Sequence, residues 1–132
     1  MFNENRALEY RRSVPQRSGE TAKIGIWQCQ LPFETLVWSP GVYDLFELPR
    51  GFRITRDECL GFYTPESREA LEEIRTRAIR DCTDFTLDAE IVTALGKPRW
   101  VRIVANVEYH NGAPVRLFGT KRDITAEKAQ YS

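Results

Sequence analysis

The stretch FTLDAEIVTALGKPRWVRIVANVEYHNGAPVRLFGTKRD, residues 85–123, decides the fold. It reads as three antiparallel strands joined by two tight turns, with apolar residues at the period of two that a half-buried strand requires. In the first strand Phe85, Leu87, Ala89 and Ile91 share one face, and Thr86, Asp88 and Glu90 the other. A slip of one residue would bury carboxylates, so the register is well specified. After Gly96-Lys97 the second strand sets Val101, Ile103, Ala105 and Val107 on one face. Asn111-Gly112 supplies the positive φ values that a two-residue hairpin favours. The third strand, Val115 to Arg122, places Val115, Leu117 and Gly119 on one side.

The opposite face mixes Trp100, Val104 and Phe118 with Arg102, Asn106, Thr120 and Arg122. A sheet with large apolar groups on both faces needs a cover on both sides.

The chain has 132 residues, enough for one compact domain with its own core. Its 19 Lys and Arg equal its 19 Asp and Glu, so nothing favours general affinity for nucleic acid or an anionic membrane. No apolar run approaches the roughly 20 residues of a membrane span, and Met1-Phe2-Asn3-Glu4 does not open a secretion signal. A cytoplasmic location without direct membrane contact is therefore expected. Cys29, Cys59 and Cys82 form no CxxC pair, and with a single histidine they read as reduced structural thiols rather than metal ligands.

Upstream, Phe2 to Arg12 carries a helical stripe that includes Ala7 and Tyr10, and Ser13 to Gly19 is polar, so residues 1–22 read as an N-terminal helix and linker. Lys23 to Leu31 and Glu34 to Trp38 read as two strands. Ser39-Pro40 opens a helix with serine as its cap; Gly41 to Leu48 should bury Val42, Leu45 and Phe46 before Pro49 stops it. Thr55-Arg56-Asp57-Glu58 has the spacing of a capping box, starting a short helix with Cys59 and Leu60. Thr64-Pro65 opens the longest helix, with Leu71, Ile74, Ala78 and Cys82 as its apolar stripe. The result is an α+β arrangement, a five-stranded antiparallel sheet with the helices gathered on one face.

Gly25-Ile26-Trp27, Trp38-Ser39, Pro65 with Arg68, Gly96 with Arg99-Trp100-Val101, and Gly119 with Asp123-Ile124-Thr125 occur in the order and spacing of a known family. Over Ile24 to Lys128 the chain resembles a PAS domain, of the subtype common in bacterial sensor histidine kinases and diguanylate cyclases. Thr64 and Leu95 stand where that family often has histidine and aspartate. The resemblance implies a sheet in the order 2-1-5-4-3, with short helices closing a cavity on one face and an N-terminal helix or a partner on the other. It also implies a PAS domain over 23–124, with 125–132 starting a C-terminal linker helix.

Strand alternation directs Trp27, Cys29, Ile91, Val101, Ile103 and Ala105 into that cavity, with Leu117 and Gly119 from the last strand and Leu71 and Ile74 from the long helix. A packed, empty version ranks ahead of a ligand-binding one. Trp27 is large enough to fill the space, whereas Gly119 and Ala105 leave room. Lys121 continues the inward series; it is expected to snorkel to water at the pocket mouth, the alternative being an inward ammonium that holds a carboxylate ligand. Ile24, Ile26, Trp100, Val104 and Phe118 form the face for the N-terminal helix or a second subunit. Asp123, Ile124 and Thr125 form the junction that, in proteins it resembles, relays a signal into a coiled coil.

No cofactor or metal is expected. Cys59-Leu60-Gly61-Phe62 departs from the cysteine run of flavin photoreceptors, and His110, beside a turn, is no haem ligand. Asp88 and Glu90 point away from the cavity, so the domain itself is not expected to be an enzyme. The sequence thus reads as a sensory, homodimeric module with a C-terminal effector. A ligand-free dimerisation scaffold is the alternative, and a small-molecule isomerase a distant one.

Overall fold

The computed structural model describes residues 23–130. The expected N-terminal helix and linker lie outside them. Two strands, β1 (Ile24–Gln30) and β2 (Thr35–Trp38), precede three helices, α1 (Pro40–Phe46), α2 (Arg56–Leu60) and α3 (Pro65–Asp81). Strands β3 (Phe85–Val92), β4 (Pro98–His110) and β5 (Ala113–Asp123) follow, and α4 (Thr125–Gln130) closes the described chain. All neighbours are antiparallel in the order β2-β1-β5-β4-β3, as expected.

The hairpin turn forms as its residues require, with Asn111 at φ 51° and Gly112 at φ 78°. The register joins Trp27, Gly119, Ala105 and Phe85 in one inward row across four strands. Val101, Ile103, Leu117 and Ile91 are buried on the same side, where α1, α2 and α3 cover them. Trp38 stacks on Phe46 with ring centroids 5.0 Å apart, tying β2 to α1. Helix α1 lies directly against β1, because a Cβ on Gly25 would fall on the backbone nitrogen of Val42.

Three local expectations are corrected. Ser39 flanks α1, but its hydroxyl makes no cap; it accepts from the Ile26 amide at 2.8 Å and so extends the β1 pairing. Helix α1 ends at Phe46 rather than Leu48, because Glu47 turns left-handed at φ 57° and its carboxylate goes inside, accepting from the Thr93 hydroxyl at 2.7 Å. Cys82 leaves the apolar stripe of α3: it is the C-cap residue at φ 59°, exposed, while Leu71 and Ala78 are buried. The other two helix caps form as expected. Thr55 and Glu58 exchange both bonds, and Thr64 accepts from the Ser67 amide.

Candidate functional site

A cavity of about 50 Å³ lies between the inner sheet face and helices α2 and α3. Trp27 and Cys29 reach it from β1, Leu117 and Lys121 from β5, Ile103 from β4 and Leu71 from α3. The expected Ile74, Ile91, Val101, Ala105 and Gly119 do not line it. Ile91 and Val101 are fully buried at the end of the sheet where residues 62–64 lie along β3, Val92 donating to the Phe62 carbonyl and Thr64 to that of Glu90. Ile74 packs against the core half-buried. Gly119 has no side chain for a different reason from the one expected: a Cβ there would fall on the Val104 carbonyl oxygen, so the glycine admits the β4 backbone rather than a ligand.

Lys121 corrects the expectation of a snorkelling lysine, since it is only 6% exposed. Its Nζ donates to the Tyr63 hydroxyl at 3.0 Å and stands 5.3–5.7 Å from the centroids of Trp27, Trp38, Phe46 and Tyr63. Ring faces attract a cation, and burial strengthens that attraction. Among the described residues no carboxylate lies within ion-pairing distance of Lys121. Burial alone would release its proton; Tyr63, Cys59 and Cys29 favour the charged form, and the balance holds the ammonium above the ordinary lysine value. Burial likewise pushes the Tyr63 phenol and the Cys59 thiol up, so both are neutral near pH 7.

Sequence reasoning missed Leu36, Arg56, Cys59, Leu60, Tyr63, Arg75 and Phe85 in the cavity wall. One signal was available for Arg75, which follows Leu71 by one helical turn on the same face as Ala78, where an apolar residue was due. Arg75 donates to Glu34 at 2.5 Å, and Arg56 contacts Glu34 at 3.7 Å and Glu72 more closely. Leu36 and Arg56 also line an open groove of about 560 Å³ bordered by Phe33, Tyr43 and Phe52, so they stand between the cavity and the surface.

The buried acid among the described residues, Glu47, lies elsewhere, 3.7 Å from Arg99 and outside the cavity wall. Arg99 donates to the Leu45 and Asp44 carbonyls at 2.6 and 3.2 Å, satisfying the end of α1, and stands 3.8 Å from Asp123. Asp123 in turn accepts from the Thr125 amide at 2.8 Å, the Thr125 hydroxyl accepts from the Trp100 amide at 3.0 Å, and Ile124 is buried. These bonds set the direction of α4. On the outer face Ile24 and Ile26 are 54% and 66% exposed, and Trp100, Val104 and Phe118 are half-buried. His110 is exposed at the hairpin end, and among the described residues no three His, Cys, Asp or Glu side chains cluster as metal ligands. Within the same residues no helix is long and apolar enough to cross a membrane.

Comparison with known proteins gives a consistent picture. A family profile described as PAS fold matches residues 35–121. The probable diguanylate cyclase DgcE of Escherichia coli K12 is 27% identical over 112 residues, 84% of this chain but 10% of that protein. The chain thus spans about a tenth of the length of that relative. The N-terminal domain of a diguanylate cyclase with PAS/PAC sensor from Marinobacter aquaeolei superposes with a TM-score of 0.74 at 20% identity, covering 80% of this chain and 99% of that one. A sensory box histidine kinase/response regulator from Burkholderia thailandensis does so with a TM-score of 0.70 at 20% identity, covering 83% of each.

Proposed function

Because the chain belongs to the PAS fold family, we propose that it is the sensory module of a bacterial signalling protein. It takes a small ligand in the cavity and relays occupancy through β5 to α4 and on to a C-terminal effector, a cyclase or a kinase, which carries the catalysis. The relatives that suggest the effector are a diguanylate cyclase and a histidine kinase, and a cytoplasmic setting fits both.

One observation carries the relay. Consecutive residues of β5 touch both ends of it: Lys121 lines the cavity, Arg122 grips Glu127 of α4 at 2.5 Å, and Asp123 holds the Thr125 amide. A shift of β5 that one cavity state favours over another therefore biases α4, and only such a difference moves a signal. Hydrogen exchange tests it with Leu117→Ala, which enlarges the cavity from β5 without touching the outer face. Exchange at the Lys128 amide, bonded to the Ile124 carbonyl, should quicken several-fold while Val92 stays unchanged. An unchanged Lys128 amide would remove the relay.

The exposed Ile24 and Ile26, with Val104 and Phe118 beside them, favour a second role as a homodimer face. Native mass spectrometry reports subunit number and bound small molecules in one experiment, and a monomer at micromolar concentration rejects this role.

A further inference from the structure

We propose that the cavity binds a small monocarboxylate, acetate in size, whose carboxylate is gripped by the Lys121 ammonium and the Tyr63 hydroxyl. The assignment rests on the sensory role above and names its ligand class.

The donors come first. An ammonium has three N–H groups, and Lys121 uses one of them, on Tyr63. Tyr63 accepts that bond, so its own O–H remains free to donate. Both side chains line the cavity, one 94% and the other 98% buried by exposures of 6% and 2%. Two donors thus converge on a space whose described wall offers no carboxylate to meet Lys121. A carboxylate has two oxygens, one for each donor, and a charge-assisted bond is the stronger kind.

Charge sets the valence. At the cavity mouth the cations Arg56 and Arg75 are matched by Glu34 and Glu72, through Arg75–Glu34, Arg56–Glu34 and Arg56–Glu72 contacts. Of the cations in the described wall, Lys121 alone has no acid among the described residues, so one positive charge is left over and a monoanion neutralises it. The guanidinium of Arg56, lining both cavity and groove, marks the way in for an anion.

Size and polarity set the rest. The cavity of about 50 Å³ has room for about four water-sized positions. Apart from these two donors and the two arginines, whose guanidiniums are held by Glu34 and Glu72, the wall carries Leu36, Leu71, Phe85, Ile103 and Leu117, which suits a short hydrocarbon tail.

The probes are sodium formate, acetate, propionate and butyrate, each against sodium chloride at equal ionic strength. The readouts are the melting temperature and the indole 1H–15N resonance of Trp27, whose ring lines the cavity. Acetate should raise the melting temperature saturably and shift Trp27, with butyrate weakest because its tail outgrows the space. Lys121→Met should weaken acetate binding about tenfold or more, the loss of a charge-assisted hydrogen bond. Tyr63→Phe keeps the ring and should also weaken it, which keeps the test open if Lys121→Met does not fold. No saturable effect beyond chloride, an equal effect of chloride itself, or unweakened binding in both variants would overturn the assignment. Occupancy is read here without output, so failure to bind leaves the β5 relay standing, and an unchanged α4 in the exchange experiment leaves binding standing.

Discussion

Lys121 and Lys128 stand on opposite sides of one sheet, and each has an indole beneath it. Lys121 lies 5.5 Å from the Trp27 centroid, buried, with a neutral hydroxyl as its hydrogen-bond partner. Lys128 lies 4.8 Å from that of Trp100, 40% exposed at its side chain, with the Asp88 carboxylate at 3.2 Å. Asp88 is also bound by Arg102 at 2.9 Å, so the outer face is a mesh of paired charges. Lys128 is paired where water already screens it, and Lys121 has no acid among the described residues where burial removes that screening. A screened pair is worth little, and an unmatched buried charge is costly. The unmatched cation is what the proposed ligand site rests on, whereas the outer mesh fastens α4 to the sheet through Lys128–Asp88 and Arg122–Glu127.

Three experiments break or sharpen this contrast. Gly119→Val acts on the strand that carries both sites. With its Cβ on the Val104 carbonyl oxygen, it should cost about 3 kcal/mol in urea denaturation, the upper end for overpacking. Wild-type stability would mean that β4 and β5 have slack, and the two faces would then be separable.

Tyr63→Phe separates the inner site from the outer one. It leaves the Lys121 ammonium without its hydrogen-bond acceptor and should cost about 1–3 kcal/mol near pH 7. It should also change the alkaline limb. Burial raises the Tyr63 pKa above its ordinary 10.0, so the folded state holds that proton more tightly than the unfolded one. The associated stability is whole below pH 10 and is lost as pH rises through the folded value. Lys121, also raised, titrates in the same direction. Denaturation midpoints of wild type and variant that fall in parallel above pH 10 would show that Tyr63 has no part in that loss.

Lys128→Ala should have the smallest effect, below about 1 kcal/mol, read as faster amide exchange in α4. The hydrogen bond from Arg102, with Lys128 adding to it, holds Asp88 below the usual carboxylate value of 3.8. Its contribution is present above that pH and is lost as pH falls through the folded value. Added salt of roughly 0.5 M should loosen α4 as the variant does, because the pair is exposed. Equal loosening around Lys121 would erase the distinction between the faces.

The hairpins were legible because alternation needs only neighbours in sequence: Phe85 to Asp123 names its own inward and outward residues. The capping box at Thr55 and Glu58 was legible for the same reason. Ser39 was not, since its hydroxyl had a competing donor, the Ile26 amide, thirteen residues away in the chain. Glu47 gave no signal at all; a glutamate at a helix end reads as solvated until Thr93 and Arg99 arrive beside it.

By itself the sequence determined the strand faces and the capping of α2 and α3, and the family resemblance carried by its spaced motifs implied the order of the sheet. Only the tertiary structure decided that Lys121 stays inside, that Gly119 serves the β4 backbone, and that Arg56 and Arg75 guard the cavity. The reason is physical: periodicity fixes which side of an element a residue occupies, but whether a long side chain finds water or a ring of aromatics depends on what α1, α2 and α3 bring over it.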